Sequence, residues 1–338
     1  MRVAINGMGR IGRLLFRRLV DHPEIEIVAV NDIMDPRNLA YLLQYDSVYG
    51  RFKLPLKLTD RLFIDEGIEV ACLTEEDPSK LPWSELNIDV VLECSGKFIS
   101  RDLASLHLDA GAKKVLLSTT GSGDIPLMIF GHNQQPLTKD IDIISPGGCM
   151  TNCSTHLLYL MNSIGIESVQ INVMHSYTSR QELVDAPHKD FRRGRAAAES
   201  IIPVQVDLAH SLERFFPPLK NKIGAVTTRI PVANGALADF TFHMNEEVTV
   251  ETVNRVFKMA ANNEYRGIVS YTEESIVSLD IKGSTYSAVV DGSLTSVAGR
   301  QVKIFAFFDN EYGYTSRMID WLLYWMTFPG ASLWETAS

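Results

Sequence analysis

Arg2-Val3-Ala4-Ile5-Asn6-Gly7-Met8-Gly9-Arg10-Ile11-Gly12 decides the fold. Arg2 to Ile5 reads as a short apolar strand that runs directly into glycines spaced G-x-G-x-x-G. An amphipathic helix over Leu14 to Val20 follows, then a strand from Ile25 to Val30 that ends at Asn31-Asp32. Each glycine has a mechanical reason. Gly7 permits a tight turn, Gly9 lets backbone approach a pyrophosphate, and Gly12 lets helix pack closely on strand. The helix then presents its N-terminus, with free N–H groups and the positive end of its dipole, to the phosphates. Arg10 and Ile11 lie inside the same loop and count with the glycines as candidate cofactor contacts. Asp32 stands about 20 residues beyond the last glycine, the spacing of an acid that accepts hydrogen bonds from an adenosine ribose. Its charge would repel a 2′-phosphate, so the implied cofactor is NAD.

Apolar strands recur at Val90 to Cys94, followed by Ser95-Gly96, and at Val115 to Leu117. A helix at about 101–110 separates them. Strands of this kind alternating with helices require a parallel, doubly wound sheet buried on both faces. Cys94 is expected in its core. Residues 41–85 read as less regular, with Glu75-Glu76-Asp77 a solvated loop.

At 338 residues the chain has room for two domains with separate cores. Hydrophobic residues make up 46% and charged residues 22%, as in an ordinary globular protein. The net charge of −9 argues against a nucleic-acid-binding protein. No apolar run is long enough to span a membrane. The first strand starts at once, so no signal peptide is expected. Cys72, Cys94, Cys149 and Cys153 show no metal-ligand spacing, which fits a reduced, cytoplasmic setting with no metal.

The second half opens at Gly147-Gly148-Cys149-Met150-Thr151-Asn152-Cys153. Pro146 and the two glycines force a turn, and Leu157, Leu158, Met161 and Ile164 continue at helical spacing. Cys149 therefore falls at a helix start, where N–H groups and the dipole favour a thiolate. Val169 to Met174 alternates like a strand and delivers His175 at its end. A cysteine and a histidine so placed suit covalent catalysis, although each alone is as readily a packing residue. Alternating strands are expected at 222–230, 238–244, 275–281, 286–291 and 302–308, with a helix over 250–262 capped by Thr249. A mostly antiparallel α+β domain follows from that pattern. The polar segment 177–200 carries Arg180, Arg192, Arg193 and Arg195, either a solvated run or an anion site. The chain ends in an apolar helix, Met318 to Met326, with Trp321 and Trp325.

Together these motifs resemble the glyceraldehyde-3-phosphate dehydrogenase family, including its erythrose-4-phosphate dehydrogenase branch. The carriers also include His175-Ser176-Tyr177-Thr178, Pro187 to Arg195, Ser200-Ile201-Ile202-Pro203 and Asp309-Asn310-Glu311-Tyr312-Gly313-Tyr314. The resemblance implies a Rossmann NAD-binding domain over 1–148, a catalytic domain over 149–314, and a C-terminal helix within 315–338 that returns to the first. It implies a homotetramer acting on a small phosphorylated aldehyde, with Cys149 as nucleophile and His175 as base. Thr178 and Arg229 would hold the substrate's phosphate, with Arg180 beside them and Arg195 as a further anion-binding arginine. Ser95, Gly96, Thr119, Asn310 and Tyr314 would join the NAD contacts, Asn310 at the nicotinamide carboxamide.

The departures concern the acyl acceptor. The family's usual Ser-Cys-Thr-Thr-Asn-Cys is Gly148-Cys149-Met150-Thr151-Asn152-Cys153 here, and its Ser/Thr run ending in Thr-Gly is Val204-Gln205-Val206-Asp207. Hydroxyls that would bind an attacking phosphate are thereby lost. Ser200 to Val204 and Arg214 to Pro217 look similar to the erythrose-4-phosphate branch, while His175 to Thr178 looks more like the glyceraldehyde branch. The alternatives to a phosphorylating enzyme are a non-phosphorylating one of erythrose-4-phosphate type and a silent NAD-binding paralogue.

Overall fold

The computed structural model describes residues 1–65, 67–134, 138 and 140–327. The chain divides into two compact units, one of Met1–Gly148 with the segment from Arg317 onward, the other of Cys149–Ser316.

In the first unit, β1 (Arg2–Asn6), α1 (Arg10–Leu19) and β2 (Glu26–Asn31) form the opening mononucleotide unit. Helix α2 (Pro36–Gln44) and the two-residue pair β3 (Tyr45–Asp46) and β4 (Gly50–Arg51) follow. Strands β5 (Leu56–Leu58), β6 (Arg61–Ile64), β7 (Ile68–Leu73) and β8 (Val90–Glu93) come next. Helix α3 (Arg101–Asp109), β9 (Lys114–Leu117) and β10 (Ile143–Ile144) complete the set. The sheet runs β10-β9-β8-β1-β2-β7-β6-β5. It is parallel from β10 to β7 and antiparallel through β6 and β5. Strands β8 and β9 are buried along their whole length, as their apolar runs Val90 to Leu92 and Val115 to Leu117 require. Helix α1 buries Leu14, Leu15, Phe16 and Leu19 and ends in Arg17 and Arg18, favourable near the negative end of its dipole. Ser100 caps α3 by accepting from Leu103 N–H.

Two expectations need correction here. Residues 41–85 are more regular than their sequence suggests: Asp35 caps α2 with Pro36 in its first turn, and β5 to β7 extend the sheet. Those strands are short and mixed in polarity, so sheet neighbours specify them more than their own alternation does. Cys94 lies just past β8 and is half-buried rather than in the core.

Helix α7 (Tyr312–Thr327) is longer than the expected Met318–Met326 run. Trp321 packs edge-on to Phe130 at 5.6 Å, and Lys114 Nζ lies 5.5 Å from the Trp325 ring. The helix thus contributes its buried tryptophans to the first unit. The rest of 315–338 lies outside the described residues.

The second unit begins with α4 (Cys149–Asn162) and β11 (Ile166–Ser176), followed by β12 (Ile202–Val204), α5 (Leu208–Glu213) and β13 (Ile223–Ile230). Then come β14 (Ala236–Met244), α6 (Val250–Asn262), β15 (Val269–Thr272), β16 (Ala288–Ala298) and β17 (Gln301–Phe308). The sheet order is β12-β13-β11-β14-β17-β16-β15. Pairing is antiparallel except at β11/β13 and β15/β16. Thr249 caps α6 by accepting from Thr252 N–H. The expected strand at 275–281 does not form. Its residues make turns instead, with Asp280 N–H donating to Val277 carbonyl and Lys282 N–H to Leu279 carbonyl. Val277 and Leu279 are exposed, so alternation there has no buried face to serve.

Candidate active site

In the first unit the candidate cofactor residues gather at the carboxyl ends of parallel strands, where doubly wound sheets bind ligands. Gly7 to Gly9 follow β1, Asp32 follows β2, Ser95-Gly96 follow β8 and Thr119 follows β9. Gly7 has φ of +92°, and a Cβ there would sit 2.3 Å from Ser95 N. A Cβ on Gly12 would sit 2.1 Å from Gly7 O, so helix and loop touch backbone to backbone. Gly9, in contrast, has nothing within 4 Å of a built Cβ. Gly9 is also the N-cap of α1, with no side-chain cap bond and no acid in the first turn. Loop and helix therefore leave an uncapped donor set with open space in front of it, which fits a pyrophosphate.

The loop is braced from both sides. Asp32 Oδ2 accepts from Met8 N–H at 2.6 Å and Oδ1 from Met34 N–H at 3.0 Å. Arg10 donates to Asp46 at 2.5 Å. Behind Ser95, buried Glu93 accepts from Ser95 N–H at 2.8 Å and from Asn6 Nδ2 at 2.6 Å. Ser95 Oγ also donates to it, as does His107 Nε2 at 2.9 Å, whose Nδ1 accepts from Trp83 Nε1 at 3.0 Å. Since Trp83 can only donate, His107 carries its proton on Nε2 and donates it to Glu93. Thr119 carbonyl accepts from Ser145 Oγ at 2.6 Å.

The second unit holds the reactive groups. Gly147, with φ of +73°, turns the chain so that α4 opens at Cys149. On β11 the stripe Val169, Ile171, Val173 faces inward and His175 continues it, buried at 3% exposure. Cys149 Sγ lies 3.5 Å from His175 Nε2. In the parallel β11/β13 register His175 stands opposite Arg229, and Arg229 Nη1 comes to 2.5 Å from His175 Nδ1. Burial pushes the His175 pKa down to about 3, with the Arg229 charge adding to it, so the imidazole is neutral. Burial also pushes the Cys149 thiol up to about 11, against the pull of Arg229 and of the Met150 and Cys149 N–H groups. The helix start favours the thiolate as expected and the Arg229 guanidinium adds to it, but desolvation outweighs both.

Arg229 is the most unusual charge in the unit. It is only 8% exposed, its Nε has no partner, and burial lowers its pKa to about 10, with Arg193 and Arg180 adding repulsion. Arg193, whose charge reaches Arg229, has a buried Nη1 without a partner, and so has Gln181 at Nε2. Gln181 Oε1 accepts from Thr178 N–H at 2.9 Å and Oγ1 at 3.0 Å, which fixes both side chains. Buried donors left open beside one another call for an anion. Asn310 is anchored by its oxygen, which accepts from Gly235 N–H at 2.8 Å and Ser176 Oγ at 3.2 Å. Tyr314 is buried in the first turn of α7.

Comparison with known proteins accords with both halves. Residues 1–101 match the glyceraldehyde 3-phosphate dehydrogenase NAD binding domain, and residues 148–310 match the C-terminal domain of the same enzyme. Over 327 residues the chain is 41% identical to glyceraldehyde-3-phosphate dehydrogenase of Geobacillus stearothermophilus, covering 96% of this chain and 98% of the relative. It is 42% identical over 325 residues to that of Thermotoga maritima, covering 95% and 98%. The Clostridium pasteurianum enzyme is 41% identical over 330 residues, covering 96% and 98%.

The chain belongs to the glyceraldehyde-3-phosphate dehydrogenase family. It is an NAD-dependent oxidoreductase of that family, and NAD is its cofactor. Within this family member, Cys149, His175 and Arg229 meet in the second unit, and Thr178 lies in the same unit, tied to Gln181. Arg195 does not join them: it pairs with Asp185 at 2.9 Å on an exposed loop and is not among the charges that act on Arg229. Arg180 is exposed, yet its charge reaches Arg229. Sequence reading missed Gln181 and named Arg193 only as one of a polar run. Gln181 follows Thr178 by one turn, and Arg193 was hidden in a run of four arginines.

Proposed function

We propose that the chain oxidises a phosphorylated aldehyde through a covalent intermediate on Cys149. The Cys149 sulfur adds to the aldehyde carbon to give a thiohemiacetal, and loss of hydride leaves a thioester on the same sulfur. NAD would supply the hydride acceptor, and in the first unit the glycine loop, Asp32, Ser95, Gly96 and Thr119 would hold it. His175 Nε2 takes the proton released at sulfur or at the thiohemiacetal hydroxyl. Arg229, Thr178, Gln181, Arg193 and Arg180 bind the substrate's phosphate. The observation that carries this reading is the 3.5 Å approach of Cys149 Sγ to His175 Nε2 beside a buried guanidinium with an open Nε.

For the second half-reaction we infer that water, rather than phosphate, resolves the thioester. A built Cβ on Gly148 meets nothing within 4 Å, so no side-chain donor stands there, and Asp207 is exposed with no cap bond. A carboxylate near the thioester would repel a phosphate dianion. The exposed apolar side chains of Leu183, Val184 and Phe191 in the polar segment, and of Ile201 just past it, support assembly into a homotetramer. No described helix is long and apolar enough to cross a membrane, and the four free cysteines accord with a cytoplasmic setting.

The test is NADH formation against a panel of aldose phosphates and their unphosphorylated counterparts, with and without inorganic phosphate. Turnover of a phosphorylated aldose that yields free acid and ignores phosphate is expected. A strict phosphate requirement with an acyl phosphate product would overturn the hydrolytic reading, and indifference to the substrate's phosphate would overturn the assignment of Arg229.

A further inference from the structure

His175 Nδ1 has three neighbours: Ser176 Oγ at 3.4 Å, whose hydroxyl can donate or accept, and two closer ones that make contradictory demands. Ser176 carbonyl lies 2.8 Å away and can only accept, so it asks for a proton on Nδ1. Arg229 Nη1 lies 2.5 Å away and can only donate, so it asks for a lone pair there. The guanidinium keeps its proton, and two N–H groups cannot face each other at that distance. With Arg229 in place, Nδ1 is therefore unprotonated and the proton sits on Nε2, pointing at Cys149 Sγ. In that tautomer His175 is a donor to sulfur and has no lone pair with which to act as base. The ring is held edge-on by Phe308, with centroids 6.3 Å apart, against a flip that would exchange its nitrogens.

Arg229 is poorly held where it stands. Beyond His175 it donates from Nη1 to Ser176 carbonyl at 3.2 Å, its Nε has no partner, and Arg193 and Arg180 repel it. We propose that Arg229 is a tautomer gate: it holds His175 as a donor toward Cys149 until the substrate's phosphate draws the guanidinium away and Nε2 becomes the base. On release, Nδ1 takes a proton from solvent and donates it to Ser176 carbonyl, while Nε2 returns its own proton to solvent, so the ring stays neutral and its lone pair now faces the Cys149 thiol. No electrons move. The base is thus assembled by the anionic end of the substrate, and Arg229 is a positioning residue as well as a phosphate ligand. This inference rests on the reading of the substrate as a phosphorylated aldehyde.

The experiment is long-range proton–nitrogen NMR of the full-length protein labelled with nitrogen-15 histidine, with His175 assigned by its loss in His175→Gln. In anion-free buffer Nε2 should be protonated and Nδ1 not; phosphite dianion, titrated to saturation, should reverse the pattern. A protonated Nδ1 before phosphite, or an unprotonated Nδ1 that persists whether phosphite binds or not, would overturn the gate. Kinetics give a second readout. Phosphite should raise kcat for unphosphorylated glyceraldehyde on the order of ten- to a hundredfold, the range of one charge-assisted hydrogen bond, with a smaller change in KM. An effect on KM alone would also overturn it. If phosphorylated aldehydes prove no better than unphosphorylated ones, the substrate reading fails by itself. If they are preferred while the tautomer stays fixed, only the gate fails.

Discussion

Replacing Arg229 with methionine should separate stability from activity. Arg229 is 8% exposed and its nearest recorded partners are neutral, so folding leaves its charge largely uncompensated. A guanidinium pKa brought down to about 10 corresponds to roughly 3 kcal/mol of cost in keeping the charge buried. Methionine fills a similar elongated space without that charge. Its introduction does not strand Ser176 carbonyl, because without the guanidinium His175 Nδ1, 2.8 Å away, can carry the proton and donate to it. Set against the lost hydrogen bonds, each about 1 kcal/mol, the variant should be as stable as the native protein or up to about 2 kcal/mol more stable. Activity should move the other way. Losing a charge-assisted contact of about 1.5–3 kcal/mol to the substrate's phosphate lowers kcat/KM by on the order of ten- to a hundredfold, mainly through KM. Urea unfolding midpoints paired with NADH-linked kinetics measure both. A loss of more than about 2 kcal/mol of stability, with kcat/KM kept, would make Arg229 a structural residue and refute the reasoning.

Cys149→Ala should abolish aldehyde-dependent NADH formation while NAD binding, measured by titration calorimetry, persists. Cys153→Ala, on the buried side of α4, should keep most activity and cost about 1 kcal/mol of stability. Asp32→Ala should narrow the preference for NAD over NADP and also weaken NAD itself, because the carboxylate braces Met8 N–H at 2.6 Å. Equal kcat/KM for the two cofactors in the native protein would contradict that role. Stability should fall in acid through His175. Its folded pKa of about 3 lies below the ordinary 6.5, so the unfolded chain binds the proton that the folded one refuses. Stability is therefore complete above pH 6.5 and lost progressively down to about pH 3. Between pH 7 and pH 5 the native protein should lose about 2 kcal/mol more than His175→Gln, read from urea unfolding at each pH.

The sequence alone determined what depends on local backbone chemistry. Gly7 at φ of +92° and Gly12 against Gly7 carbonyl are requirements of one turn and one helix, so their spacing could be read without any tertiary contact. The same holds for Thr249 as a cap and for Cys149 at the first position of α4. Tertiary structure decided what depends on register and burial. The alternation at 275–281 lacked a sheet to join, and the short strands β5 to β7 acquired one. Among four arginines in one polar segment, the fold of the loop placed Arg193 with an open buried donor beside Gln181 and sent Arg195 to Asp185. The meeting of His175 with Arg229 spans 54 residues and follows from the parallel register of β11 and β13, where the two are direct partners. Parallel pairing carries no local turn signal to fix its register. A sequence can therefore supply a nucleophile and a base, while only the folded sheet puts a guanidinium against the base's second nitrogen.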